Sequence, residues 1–155
     1  YDVRMPAQVT IAAFDILIDI AEQCDGYSEE DISIMRNVVS EIVYPVEAFN
    51  GDLIQLFGTN PSGQNLTVII NSLVNSLLLR CAFYTMYPEK DFKSECSFIT
   101  YGDDVIGTVS EDCPDFSHIS YANYLAKHDM KFTMPDKEST PTEYMEEKDA
   151  DFLKR

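Results

Sequence analysis

The segment CSFITYGDDVIGTV, residues 96–109, decides the fold because it has the pattern of two apolar strands joined by a tight turn. Residues 96–100 and 105–109 are rich in the β-branched and aromatic side chains that favour strands. The Gly-Asp pair between them favours a turn. The segment therefore predicts an antiparallel hairpin whose tip carries two adjacent carboxylates, Asp103 and Asp104.

Helical patterns lie on both sides of this hairpin. Residues 7–24 and 65–84 repeat apolar side chains at helical spacing, and a further helix is expected from 116 to 127. Ser28 with Asp31 resembles a capping box, which predicts the start of another amphipathic helix.

Two further strand predictions complete the pattern. Asn50-Gly51 tolerates the positive φ angles of a type I′ turn, so residues 44–57 are expected to form another hairpin. A short strand is expected near 130–134, followed by an acidic loop over 138–151. The resulting order is typical of an α+β fold, with helices packed on one face of a small antiparallel sheet.

The charge balance is strongly acidic. Lys and Arg total 11 against 27 Asp and Glu, a formal net charge of -16, whereas nucleic-acid-binding domains usually carry a basic surface. Six of the 11 basic residues lie in the last 29 positions. An acidic chain can still act on RNA if its carboxylates hold metal ions and other parts of the protein supply the cations that bind phosphate.

Cysteine spacing and hydropathy restrict the cellular context. The four cysteines, at 24, 81, 96 and 113, form no C-x-x-C pair, so neither a zinc site nor a disulfide framework is indicated, and reduced thiols in a cytoplasm fit best. The uncharged stretch from Leu66 to Leu79 is short for a membrane span, and no transmembrane segment is expected.

The paired carboxylates carry the clearest chemistry. Two charges about 5 Å apart, at an effective dielectric near 20, repel by roughly 3 kcal/mol. Hydration removes this cost at an exposed site. At the edge of a buried sheet a divalent cation would remove it, and Mg²⁺ prefers such hard oxygen ligands. The Asp103-Asp104 pair is therefore either a solvated surface pair or a metal site.

A polar row on the long helix adds to this site. Thr67, Asn71 and Asn75 recur every four residues and share one helix face. Polar groups on an apolar helix cost energy unless they find partners. They either hydrogen bond to neighbouring elements or face a polar ligand such as a sugar hydroxyl.

Together these motifs resemble a known family. Pro61-Ser62-Gly63 with Thr67 and Asn71, followed by Tyr101-Gly102-Asp103-Asp104, is similar to motifs B and C of picornavirus-like RNA-dependent RNA polymerases. The resemblance implies one palm subdomain fragment over residues 1–155, without fingers and thumb. The motif positions are 1–2 for the end of A, 58–80 for B, 97–109 for C, 116–138 for D and 151–155 for the start of E. Several segments also resemble the marine, algal-virus branch.

The resemblance implies two-metal nucleotidyl transfer from ribonucleoside triphosphates to an RNA 3′-hydroxyl. Two Mg²⁺ ions, with Mn²⁺ as an alternative, would be held by Asp103 and more weakly by Asp104. Lys137 would act as general acid towards pyrophosphate. Without the resemblance, Lys137 is better explained as a surface ion pair.

Further site residues are implied only by the resemblance. The expected nucleotide- and ribose-binding residues are Asp2, Ser62, Gly63, Thr67 and Asn71. Lys154 and Arg155 would bind the primer strand through its phosphates. The expected partners are template and primer RNA, ribonucleoside triphosphates, the rest of the polymerase and other viral replication proteins, in replication complexes of the host cytoplasm.

The sequence also departs from the family pattern. Leu66 stands where a small residue is usual, and the first aspartate of motif A is expected five residues before Asp2. The isolated chain is therefore expected to bind RNA poorly and to polymerise nothing. Two alternatives are an acidic ion-binding or protein-interaction module without catalysis, and a reverse transcriptase. The latter is disfavoured because Asp2 and Asn71 fit ribonucleotide selection.

Overall fold

The computed structural model describes residues 5–58, 60, 63–134, 138–150 and 152–153. It confirms the α+β class. The elements follow the order α1 (Ala7–Glu22), α2 (Glu29–Val43), β1 (Val46–Phe49), β2 (Asp52–Gln55), α3 (Thr67–Met86), α4 (Phe92–Glu95), β3 (Cys96–Tyr101), β4 (Asp104–Val109) and α5 (His118–Ala126). A 3-10 turn spans Glu147–Asp149. The chain divides into two compact units, Tyr1–Val74 and Asn75–Arg155, and α3 runs through the boundary.

In the first unit, α1 packs against α2. Ser28 begins α2 as predicted, because its hydroxyl accepts from the Asp31 backbone N–H while the Asp31 carboxylate accepts from the Ser28 backbone N–H at 2.8 Å. This reciprocal pair satisfies two donors that the first helical turn leaves open. The apolar core of this unit contains Met5, Ala13, Phe14, Ile18, Ala21, Val39, Val43 and Ile70.

The first hairpin has the predicted type I′ turn. Asn50 and Gly51 both have positive φ angles, 50° and 92°, which match the twist of the flanking strands. Every residue of β1 and β2 is exposed, including Phe49 at 67% and Leu53 at 78%. The observed strands are shorter than the predicted segment, because pairing runs only from Val46↔Gln55 to Phe49↔Asp52.

The second unit is built on an aromatic core below the second hairpin. Phe83 of α3 is fully buried, and its ring lies 5.4 Å from that of Phe92 and 5.3 Å from that of Phe116. Phe98 of β3 stacks on Phe92 at 5.9 Å. These edge-on and stacked contacts anchor β3 and the segment before α5 to α3.

One local prediction was wrong. The segment 130–134, expected to be a strand, is irregular, because the strands of the described residues pair only as β1–β2 and β3–β4 and 130–134 has no partner strand among them. Its side chains pack instead, with the Phe132 ring 4.7 Å from His118 and 4.9 Å from Tyr121. The antiparallel pairing predicted for the small sheet takes the form of these two hairpins.

Helix α3 is also long and apolar enough to cross a membrane, although the core helix of a soluble protein passes the same test. Its side chains at Ile70, Val74, Leu78, Leu79, Ala82 and Phe83 are buried within the fold.

All four cysteines are free thiols that form no disulfide bond.

Candidate active site

The turn of the second hairpin presents both predicted carboxylates. Pairing of Tyr101 with Asp104 closes a two-residue turn at Gly102 and Asp103. Gly102 has a φ of 61°, and Asp103 is not among the residues with positive φ, which is the pattern of a type II′ turn. Both Asp103 and Asp104 are exposed at the tip. The prediction that they lie at the edge of a buried sheet holds only in part. Strand β3 alternates between covered and exposed residues, and half of the residues of β4 are exposed while the rest are partly covered.

Asn75 ties this turn to α3. Its side-chain Nδ2 donates to the backbone carbonyl of Asp103 at 3.2 Å, and its Oδ1 accepts from the hydroxyl of Tyr121 at 3.3 Å. Asn75 is 1% exposed and Tyr121 is 3% exposed, so both groups are shielded from water. For Asn75 the alternative of internal hydrogen bonding is therefore correct. The residue positions the carboxylate-bearing turn and does not face solvent.

We expect Asn75→Ala to weaken the fold. It removes two buried hydrogen bonds, so the free energy of unfolding falls by about 1–3 kcal/mol. Urea denaturation of parent and variant measures the difference.

Asn123→Ala is the matched control, since Asn123 is exposed on α5. We expect this substitution to change the free energy of unfolding by no more than about 0.5 kcal/mol. Equal stability of the Asn75→Ala variant and the parent would contradict the positioning role.

A cavity of about 140 Å³ lies beside the turn, with walls that include Asp103, Asp104, Ile106, His118 and Phe132. Nε2 of His118 is buried, with no hydrogen-bond partner among the described residues. Burial lowers the pKa of His118 from its ordinary value of 6.5, so its neutral form is favoured. No role for His118 follows from the sequence, because its neighbours show no spacing typical of a metal or catalytic site.

The donor set at the turn fits a magnesium site that is completed by other groups. Within the described ranges no three His, Cys, Asp or Glu side chains gather into a metal-binding group. Mg²⁺ is nevertheless often bound by one or two carboxylates together with water and substrate phosphates. The two exposed, acceptor-only carboxylates of Asp103 and Asp104 match that requirement.

In the first unit, the segment before α3 forms a second polar cluster. Asn60 is fully buried, and its Nδ2 donates to Oδ1 of Asn71 at 2.6 Å and to the backbone carbonyl of Thr67 at 3.3 Å. Asn71 is 7% exposed. The sequence did not single out Asn60, because a polar residue next to proline in a turn-rich segment is ordinarily exposed.

The remaining predicted site residues divide into two groups. Gly63 has a φ of 89°, where a side chain would be strained, and is exposed, while Thr67 is half-buried at the start of α3. Leu66, the departure from the family pattern, is half-buried. The residues Asp2, Ser62, Lys137, Lys154 and Arg155 lie outside the described residues, so their predicted roles stay predictions.

The hairpin turn carries the two adjacent carboxylates that were predicted for motif C. The chain belongs to the family described as Viral RNA-dependent RNA polymerase, which matches residues 1–155. Together with the polyprotein relatives given next, this match confirms the predicted likeness to picornavirus-like polymerases.

Three relatives illustrate the similarity. The genome polyprotein of Deformed wing virus is 29% identical over 97% of this chain, and that of Human rhinovirus 1B is 29% identical over 81%. The RNA1 polyprotein of Tomato ringspot virus is 38% identical over 61%. The matches span 5%, 6% and 5% of these polyproteins respectively. The algal-virus branch stays a prediction.

Proposed function

We propose that this chain is the palm segment of an enzyme that copies RNA from an RNA template during viral replication. The observation that carries the proposal is the family match over residues 1–155, which includes the hairpin turn with Asp103 and Asp104. In the reaction, the RNA 3′-hydroxyl attacks the α-phosphate of a ribonucleoside triphosphate and pyrophosphate leaves.

Asp103 and Asp104 would hold two divalent ions, Mg²⁺ or Mn²⁺, at this turn. Bound there, the ions would supply positive charge to the attacking and leaving oxygens. The protein's own contribution is to fix the two carboxylates. The two-residue turn sets their direction, and Asn75 holds the backbone carbonyl of Asp103.

The cluster around Asn71 would recognise the ribose. Asn71 and Asn75 stand four residues apart on α3, about one helical turn. A 2′-hydroxyl is both donor and acceptor, so Asn71 and Thr67, with Asp2 and Ser62, could distinguish it from a deoxyribose. Gly63 would let the backbone of the loop approach the nucleotide.

The cationic roles rest on sequence alone. Lys137 would protonate the leaving pyrophosphate, and Lys154 with Arg155 would bind the primer backbone. The net charge of -16 favours a partnership with basic parts of a longer polymerase. We propose accordingly that fingers and thumb supply phosphate binding, that the isolated chain is inactive, and that the enzyme works with other replication proteins in the host cytoplasm.

The direct test is RNA synthesis by a polymerase that contains this segment. With a template-primer RNA, ribonucleoside triphosphates and Mg²⁺, we expect template-directed extension that chelation by EDTA abolishes. A protein that binds divalent ions tightly but incorporates no nucleotide would instead support the acidic ion-binding module. Extension that prefers deoxyribonucleotides would support a reverse transcriptase.

A further inference from the structure

We propose that Asn60 is a positioning residue for ribonucleotide selection, acting by fixing the side-chain amide of Asn71. The inference rests on the proposed function, since it concerns how the enzyme distinguishes ribose from deoxyribose. It adds a residue that touches neither the nucleotide nor the metal ions.

The geometry starts from a short, shielded contact. Nδ2 of Asn60 lies 2.6 Å from Oδ1 of Asn71 and 3.3 Å from the backbone oxygen of Thr67. A primary amide has two N–H donors, so these two contacts account for both of them. Asn60 is fully buried and Asn71 is 7% exposed, so water competes little for the short contact.

This contact decides which end of the Asn71 amide remains for a ligand. An asparagine side chain has an acceptor end and a donor end. The acceptor end of Asn71 is taken by Asn60, which leaves the NH₂ group. Rotating the amide by half a turn would place two NH₂ groups against each other, with no acceptor between them. Asn60 therefore holds Asn71 as a hydrogen-bond donor.

A fixed donor suits a ribose 2′-oxygen, which deoxyribose lacks. A site built to hydrogen bond a hydroxyl discriminates strongly against the analogue without it, because the group meant for the hydroxyl is then left unpaired. The discrimination requires that the amide cannot turn to a different partner. Asn60, which directly precedes Pro61 in the sequence, meets this requirement because it holds Oδ1 of Asn71.

The acceptor end of Asn60 supports a role beyond packing. Its Oδ1 is buried and has no hydrogen-bond partner among the described residues. A buried acceptor without a partner lowers stability. A smaller apolar residue would avoid that cost but could not donate to Asn71, so the residue type is explained by its donors.

The test replaces Asn60 by aspartate in a polymerase that contains this segment. Asn60→Asp keeps the shape of the side chain but removes the NH₂ donor and places an acceptor against the acceptor of Asn71. We expect the ratio of kcat/KM for a ribonucleotide to that for the matching deoxyribonucleotide to fall by about tenfold or more. Single-nucleotide incorporation with each substrate measures the ratio.

Asn50→Asp is the matched control. Asn50 lies in the exposed turn of the first hairpin with a φ of 50°, a conformation that aspartate also tolerates. We expect it to leave the substrate ratio unchanged. If Asn60→Asp does not fold, Asn60→Ser supplies an uncharged variant whose shorter side chain cannot span the same contact, and the same ratio is measured.

A double-mutant cycle separates positioning from general damage. In an Asn71→Ala background, Asn60→Asp is expected to change the ratio no further, because the amide it orients is absent. An unchanged ratio in Asn60→Asp, with only a lower melting temperature, would overturn the inference and leave Asn60 a structural residue. An additive change in the double variant would overturn it as well.

The proposed function fails in a different way. If the parent enzyme synthesises no RNA on an RNA template, the function itself is wrong and the inference falls with it. If the parent polymerises but Asn71→Ala keeps the full ribose preference, the polymerase function stands. Only the selection role of Asn71, and with it the role of Asn60, is then rejected.

Discussion

Asp103→Ala is expected to reduce primer extension by on the order of 10³-fold or more in a polymerase that contains this segment. Metal ions contribute several kcal/mol of charge stabilisation to a transferring phosphoryl group, and each 1.4 kcal/mol or so corresponds to a tenfold change in rate. Because Asp103 is exposed at the turn, its side chain contributes little to folding. The loss should therefore appear in activity and hardly at all in thermal unfolding.

Asp25→Ala is the matched control for this experiment. Asp25 is an exposed aspartate in the connection between α1 and α2, and its removal is expected to leave extension near the parental rate. Near-normal extension by the Asp103→Ala variant would contradict the proposed role of Asp103 as a metal ligand.

Phe83→Ala is expected to have the largest effect on stability, lowering the free energy of unfolding by about 3–5 kcal/mol. The Phe83 side chain is fully buried, with its ring 5.4 Å from Phe92 and 5.3 Å from Phe116. Truncation leaves a void at the centre of that aromatic core, and its neighbours cannot close a void of this size without leaving their rotamers. Urea denaturation of parent and variant measures the difference.

Phe49→Ala provides the comparison at an exposed phenylalanine. Phe49 is 67% exposed on β1, so we expect its replacement to change the free energy of unfolding by no more than about 0.5 kcal/mol. If both substitutions lower the free energy of unfolding by the same small amount, Phe83 is not at the centre of the second unit's core.

Local signals in the sequence predicted most of the secondary structure. The capping box at Ser28 and the Asn50-Gly51 turn depend on neighbouring residues, and the structure confirms both. The strand expected near 130–134 depends on a partner strand that a local pattern cannot supply, and there the prediction was wrong. Helix α5 begins at His118, two residues later than expected, because Ser117 caps it and Phe116 is buried among other aromatic rings.

For the candidate site, the sequence indicated the carboxylate turn and the polar row, whose chemical roles stay predictions, but it did not indicate which residues position them. The carboxylate turn and the polar row were visible as a motif and a spacing. Asn75 could have been either ligand-facing or internally bonded, and only its 1% exposure and its contact with Asp103 decide this. Asn60 was missed because residue types alone do not reveal its burial or its contact with Asn71.

The decisive measurement is an experimental structure of the polymerase with template-primer RNA, Mg²⁺ and a non-hydrolysable ribonucleoside triphosphate. We expect a carboxylate oxygen of Asp103 to lie about 2.0–2.1 Å from a Mg²⁺ ion. We also expect the amide nitrogen of Asn71 to lie within about 3.2 Å of the ribose 2′-oxygen of the bound nucleotide. A ribose bound away from Asn71, or metal ions held without Asp103, would show that the proposed roles of these residues are wrong.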